Sequence, residues 1–201
     1  MKLTQAILLF LFLLALWGCG LSGDAIHGKV VDEQTGQPVP NAIVVARWRG
    51  DLFAFVESQT VCVHVDTATT DEKGQYRLPA WRKRNDLGWV RDVMPVINIY
   101  KQGYSHTYQR SDNVQYLKPF TGTREERFEY LSRVGVSCSH KQQTEINLLP
   151  LYKALYEEAR TLALTRDEKL MALYRLRDVE RLELGSDQAW ENFRQRQREL
   201  Q

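Results

Sequence analysis

Residues Ile26 to Val45 read IHGKVVDEQTGQPVPNAIVV, two short apolar runs on either side of a turn-rich bend. His27 to Val31 and Ala42 to Ala46 (AIVVA) have the β-branched content and length of strands. Between them, Gly36 supplies a residue able to take φ > 0, and Pro38 and Pro40 fix φ while removing two ladder donors. A helix here is disfavoured, because each proline would cost about 3 kcal/mol inside it. The stretch therefore predicts two strands joined by a bend.

Upstream, Met1 to Gly18 has the form of a targeting segment, with Lys2 as the positive end and Ala6 to Trp17 (AILLFLFLLALW) as an apolar run of 12 residues. That run is shorter than the roughly 20 residues a membrane span needs. Leu16-Trp17-Gly18-Cys19 resembles the bacterial lipobox, with Trp17 bulkier than that position usually accepts. The resemblance implies a signal peptide over 1–18, an acylated Cys19 at the mature N-terminus and a short tether over 19–24. Acyl chains such as palmitate contribute about 0.8 kcal/mol per buried CH₂, so several give lasting attachment. The expected address is the bacterial cell envelope, lipid-anchored. Gly20, where an aspartate would retain the chain, points to the outer membrane.

The remainder is long enough for one domain with an appendage. A net charge of +2, from 27 basic and 25 acidic residues, gives no electrostatic case for nucleic acid. Further strand signals lie at Val61 to Val65, Gln75 to Leu78 after an Asp71-to-Gly74 turn, Val93 to Tyr100, Tyr104 to Gln109 and Thr144 to Leu149. About seven short strands with turns between them predict a mainly β protein built on a β-sandwich.

The series Gly28-x-Val30-x-Asp32, Thr35-Gly36-x-Pro38-Val39-x-x-Ala42-x-Val44, Thr70-Asp71-x-x-Gly74-x-Tyr76-x-Leu78 and Lys101-x-Gly103-Tyr104 resembles the carboxypeptidase regulatory-like domain. The resemblance covers about residues 25–150 and implies a transthyretin-like (prealbumin-like) sandwich without catalysis of its own. Departures are an insertion between Trp48 and Val61 and a polar region from Ser105 to Lys141. None of His27, His64, His106 and His140 is followed three positions later by Glu, as a zinc peptidase site would require. The chain ends Arg-Glu-Leu-Gln, whereas the related 5-hydroxyisourate hydrolases end Tyr-Arg-Gly-Ser. No enzyme activity and no cofactor is expected.

Two Cys-x-His pairs, Cys62-Val63-His64 and Cys138-Ser139-His140, are the one constellation suited to chemistry. On a regular strand, i and i+2 share a face, so each pair would present a thiol beside an imidazole. A disulfide between Cys62 and Cys138 is the simplest reading in an exported compartment. Tetrahedral zinc on Cys62, His64, Cys138 and His140, or two free thiols, are the alternatives. Phosphate loops and a G-x-S-x-G elbow are absent from the sequence.

A basic and aromatic segment, Trp81, Arg82, Lys83, Arg84, Trp89 and Arg91, could present stacking faces and guanidinium forks to an acidic or carbohydrate ligand. The alternative is a loop whose tryptophans pack back on the sandwich. Tyr104, Tyr108, Tyr116 and Phe120 divide in the same way between packing and a ligand cradle. Thr123-Arg124-Glu125-Glu126 and Thr165-Arg166-Asp167-Glu168 are capping boxes that open helices.

From Pro150 the strand signals cease. Leu151, Tyr152, Leu155, Tyr156, Ala159, Leu162 and Ala163 form an apolar stripe at helical spacing. Gly185 suits a helix end and Ser186 a cap. Residues 151–201 are thus read as a helical extension, packed on the sandwich or docked on a protein partner. The whole reads as a non-catalytic, membrane-anchored interaction or structural module.

Overall fold

The computed structural model describes residues 20–53, 59–85, 88–106, 113–138 and 145–200. Met1 to Cys19, Tyr108, Ser139 and His140 lie outside the described residues, so the expected leader, the expected lipidation at Cys19 and the histidine of one Cys-x-His pair lie there too. Nine strands come first: β1 (Gly20–Gly23), β2 (Ile26–Asp32), β3 (Ile43–Leu52), β4 (Gln59–Thr69), β5 (Gln75–Leu78), β6 (Trp81–Arg84), β7 (Val90–Tyr100), β8 (Tyr104–His106) and β9 (Val114–Pro119). Helix α1 (Arg124–Arg133) follows, then a 3₁₀ turn (Ile146–Leu148) leading directly into α2 (Leu149–Leu162), α3 (Arg166–Leu184) and α4 (Ser186–Glu199).

The two strands of the opening stretch do not pair with each other. β2 lies in a sheet ordered β5-β2-β9-β8, β3 is the middle of a second sheet ordered β4-β3-β7, and β1 pairs with β6 in a separate two-stranded ribbon. The proline-rich bend carries the chain from one sheet to the other. Asp32 Oδ1 starts that bend by accepting the backbone N–H groups of Gln34 and Thr35, and Asn41 ends it with φ 54°.

Alternation along β3 sets the layering. Val44, Ala46 and Trp48 point into a core shared with Val30, Tyr76, Leu78, Leu117 and Leu21. Val45 points the other way, with Val65 and Tyr100, into a second core against Leu131, Leu148, Leu151 and Leu155. The β4-β3-β7 sheet is therefore a central layer, apolar on both faces, between the β2 sheet and the helices. Each fully buried Val or Leu on it contributes about 1.5–3 kcal/mol.

This layering corrects several expectations. Strand and helix take 37% and 38% of the described residues, so the protein is mixed α/β rather than mainly β. Of the two readings of the extension beginning near Pro150, packing on the sheets is the one seen, since the stripe residues Leu151, Tyr152, Leu155 and Ala159 are buried in a core shared with the central sheet. From Ile146, the predicted closing strand is instead the 3₁₀ turn and the start of α2, since Pro150 in the first helical turn gives up no hydrogen bond. Gly20–Gly23, expected as tether, is strand β1. Trp81–Arg84, read as loop, is β6, and β9 had no counterpart in the sequence reading.

The capping boxes at Thr123 and Thr165 both close as predicted, each threonine hydroxyl accepting the N3 backbone N–H. Gly185, at φ 92°, separates α3 from α4 and itself occupies the cap position, so Ser186 is the first helical residue and not the cap.

Candidate functional site

The motif residues of the opening stretch and of the Thr70 hairpin interlock. Buried Thr70 donates its hydroxyl to the Val39 carbonyl at 2.7 Å and accepts the Ala42 N–H at 2.8 Å. Asp71 Oδ1 accepts the N–H groups of Lys73 and Gln75, tightening the turn. Gly74 takes φ 70°, and a Cβ there would lie 2.4 Å from the Val30 carbonyl oxygen. Only glycine meets both demands. Tyr104 closes the set: its hydroxyl is beside the Asp32 carboxylate, and burial first, then that carboxylate, raises its pKa. The Asp32 carboxyl is held below its usual range, chiefly by the Thr35 backbone N–H.

Cys62 and Cys138 come together as a disulfide, with Cα atoms 5.2 Å apart across a sequence separation of 76. The expectation that Cys62 and His64 share a face is overturned by a bulge. Trp48 pairs with His64 and Arg49 with Cys62, leaving Val63 as the extra residue on β4. Val63 and His64 both turn toward the sheet-sheet side, while Cys62 and Val65 face the helices. The imidazole stacks on Trp81 at 4.4 Å between ring centroids and lies 5.2 Å from Trp48. Burial pushes its pKa below the ordinary histidine value. Among the described residues, no group of three or more His, Cys, Asp or Glu side chains converges on a point that could hold a metal ion.

The basic and aromatic segment is split by the fold. Trp81 is half-buried, edge-on to Trp48 and stacked on His64, and Gly23 of β1 allows this: a Cβ there would lie 2.3 Å from Trp81 Nε1 and 2.5 Å from Trp48 Nε1. Lys83 Nζ donates to the Val63 carbonyl. Arg82 and Arg84 point outward from β6. Trp89 and Arg91 lie at the start of β7, where Trp89 is 77% exposed. Their neighbour is Phe53, whose N–H donates to the Trp89 carbonyl at 2.9 Å and whose ring lies 6.2 Å from the Trp89 ring and 5.5 Å from the Arg91 guanidinium. Phe53 and nearby Met94 were not among the sequence candidates. For Phe53, a large apolar residue just past the end of β3 was the available signal.

A second feature the sequence reading missed lies between the central sheet and the helices. Arg127 reaches both carboxylate oxygens of Glu158 at 2.8 and 2.9 Å, and the two side chains are each 6% exposed. Arg127 also donates to the carbonyls of Tyr104 and Lys101, and Tyr100 donates its hydroxyl to Glu158. Burial and the Glu158 carboxylate drive the Tyr100 pKa upward. A signal existed: Glu158 sits on the apolar stripe, three residues after Leu155 and seven after Leu151. Its hydrogen bonds are all internal, which makes it a structural lock.

A cavity of about 160 Å³ beside Tyr100, Tyr130 and Val136 is below the roughly 300–1,000 Å³ of small-molecule sites. A larger open groove, about 560 Å³, lies where β2, β5 and the start of β9 meet, lined by His27, Lys29, Tyr76 and Arg77 among others. Of Tyr104, Tyr116 and Phe120, Tyr104 packs on the core between the β2 sheet and the central sheet and Phe120 lies 5.1 Å beneath the Arg127 guanidinium. Among the described residues, no helix is long and apolar enough to cross a membrane. Comparison with protein-family models, with curated proteins and with solved structures gives no match for this chain.

Proposed function

We propose that this chain is a lipid-anchored, non-catalytic module of the bacterial cell envelope, its sandwich a scaffold and its loops and helices the contact surfaces for a protein partner. The observation that carries the reading is the start of β1 at Gly20, directly after the lipobox-like Cys19, with Gly20 to Gly23 paired to Arg84 through Trp81. Acyl chains on Cys19 would therefore hold the sandwich itself against the membrane, with no free linker between. The outer membrane is the address that Gly20 favours.

The finer fold belongs to the same proposal: the two sheets form a transthyretin-like sandwich of the carboxypeptidase regulatory-like kind. Its support is that the motif pieces carrying that resemblance touch one another, Thr70 bridging Val39 and Ala42, Gly74 lying against Val30, and Tyr104 meeting Asp32.

The test is the intact mass of the chain purified from membranes. Loss of residues 1–18 with acyl chains on Cys19, abolished by Cys19→Ser, is expected. A chain recovered without acyl groups, and with no partner in crosslinked envelopes, would refute the proposal.

A further inference from the structure

The start of the folded chain and the exposed aromatic residues lie at one end of the molecule. In β1, Gly20 is opposite Arg84, the last residue of β6. Asn85 Nδ2 donates to the Gly88 carbonyl at 2.5 Å, which brings the end of β6 beside the approach to Trp89. Across the central sheet, Leu52 pairs with Val90 on one side and Gln59 on the other, so the end of β3 and the start of β4 share this end. Position 19 is thus one residue from the strand pair that leads into Trp89.

What this end presents is unusual for a surface facing only water. Trp89 is 77% exposed and Phe53 45%. Arg84 and Arg91 flank them, and Arg91 lies over the Phe53 ring. Among the described residues, the acidic neighbours are Asp92, which is exposed, and Asp51, which accepts the Thr60 hydroxyl at 3.0 Å. Tryptophan with arginine is the pairing found at membrane–water interfaces, where the indole sits at headgroup level and the guanidinium meets lipid phosphates.

We infer that this end rests in the bilayer interface, Trp89 and Phe53 inserting among the headgroups of the membrane that holds the Cys19 acyl chains, with Arg84 and Arg91 on lipid phosphates. The inference rests on acylation of Cys19 and adds a second attachment that fixes the orientation of the sandwich. The acyl chains supply the lasting attachment, and the aromatic end would set how the sandwich stands on the membrane.

The test uses the acylated full chain in vesicles of phosphatidylethanolamine and phosphatidylglycerol, with and without lipids brominated on the upper acyl carbons. Bromine should quench part of the tryptophan emission, and Trp89→Phe should remove that part, whereas Trp190→Phe on α4 should leave it in place. Urea unfolding of the W89F chain should match wild type, as expected for a residue so exposed. Emission from acylated chain that is unquenched, or quenching that W190F abolishes and W89F does not, would overturn the inference while leaving the anchor intact. A purified chain whose mass lacks acyl groups would overturn the anchoring proposal and this inference with it.

Discussion

Replacing Arg127 by methionine would leave the Glu158 carboxylate buried without its cation. In the folded protein that guanidinium makes two bonds to the carboxylate, at 2.8 and 2.9 Å, and also donates to the carbonyls of Tyr104 and Lys101. After the substitution only the Tyr100 hydroxyl still donates to Glu158. Removing one partner of a buried pair costs about 3–5 kcal/mol, because the other charge remains desolvated. At a urea slope of about 2 kcal/mol per molar, the midpoint should fall by about 1.5–2.5 M. Replacing both residues, as Arg127→Met with Glu158→Leu, removes the stranded charge, and such apolar replacements are often near neutral. The double variant should therefore be more stable than R127M alone. Urea unfolding followed by tryptophan emission measures all three chains. A loss below about 1 kcal/mol for R127M, or a double variant no better than R127M, would refute the view that this pair locks the helices to the central sheet.

The Cys62–Cys138 link closes a 76-residue separation, so Cys62→Ala should cost about 4–5 kcal/mol in the chain-entropy model; an unchanged urea midpoint, or an intact mass without a two-hydrogen deficit, would contradict it. Gly74→Ala should cost more than about 2 kcal/mol, since it adds a backbone clash to the roughly 1–2 kcal/mol of a left-handed residue. Gly36→Ala, at φ 69° with nothing within 4 Å of its Cβ, should lose only the conformational part, and equal losses at the two sites would be inconsistent with the contact at Val30. The Glu168 carboxyl is held down to about 2, first by the Arg124 guanidinium and then by the backbone N–H groups of Thr165 and Leu164. Its folded value lies below the ordinary 4.5, so its contribution is complete above that pH and fades as pH falls toward 2. Glu168→Gln should flatten stability against pH across that window, and an unaltered slope would rule the linkage out.

Local signals served well where one residue answers one physical demand. The Thr123 and Thr165 boxes, the Gly185 break and the Asp71-to-Gly74 turn follow from side-chain reach and φ, which neighbouring residues determine. Strand identity was legible in β2 to β5 and β7, whose apolar runs are buried. It was not legible in β6, where Trp81-Arg82-Lys83-Arg84 is a charged edge strand held by β1 and by Trp81 against Trp48. Nor could periodicity reveal that Cys62 and His64 face opposite ways, because that depends on one unpaired residue, Val63, in the match of β4 to β3. The apolar content of the central sheet on both faces is visible in Ile43-Val44-Val45-Ala46, which does not alternate with polar residues. Read as a buried strand, it already implied a layer beyond the second sheet.

The charge balance of the C-terminal region follows from that layer. Ten basic and ten acidic residues lie between Pro150 and Gln201. Lys153 pairs with Glu183, joining α2 to α3, and Arg196 with Glu180, joining α4 to α3. Arg181 meets Glu145 in bidentate fashion, and Arg124 reaches Glu168 from α1. Individually, an exposed pair such as Lys153–Glu183 is worth at most about 1 kcal/mol, while Glu145 and Glu180 are buried carboxylates that need their arginines. The pairs' value here is directional: each joins two elements that the apolar stripe has already brought together, and a slide of one helix along its neighbour would break several at once. Arg175, donating to the Leu131 and Ser132 carbonyls at the end of α1, acts in the same sense. The neutral tail therefore has little net charge with which to seek a charged membrane. The helices pack on the half of the central sheet around Val45, Val65 and Tyr100, seven residues along β3 from the Leu52 end. At about 3.3 Å per residue that is roughly 23 Å from the aromatic tip. With that tip at the lipid headgroups, this half of the central sheet would stand clear of the bilayer.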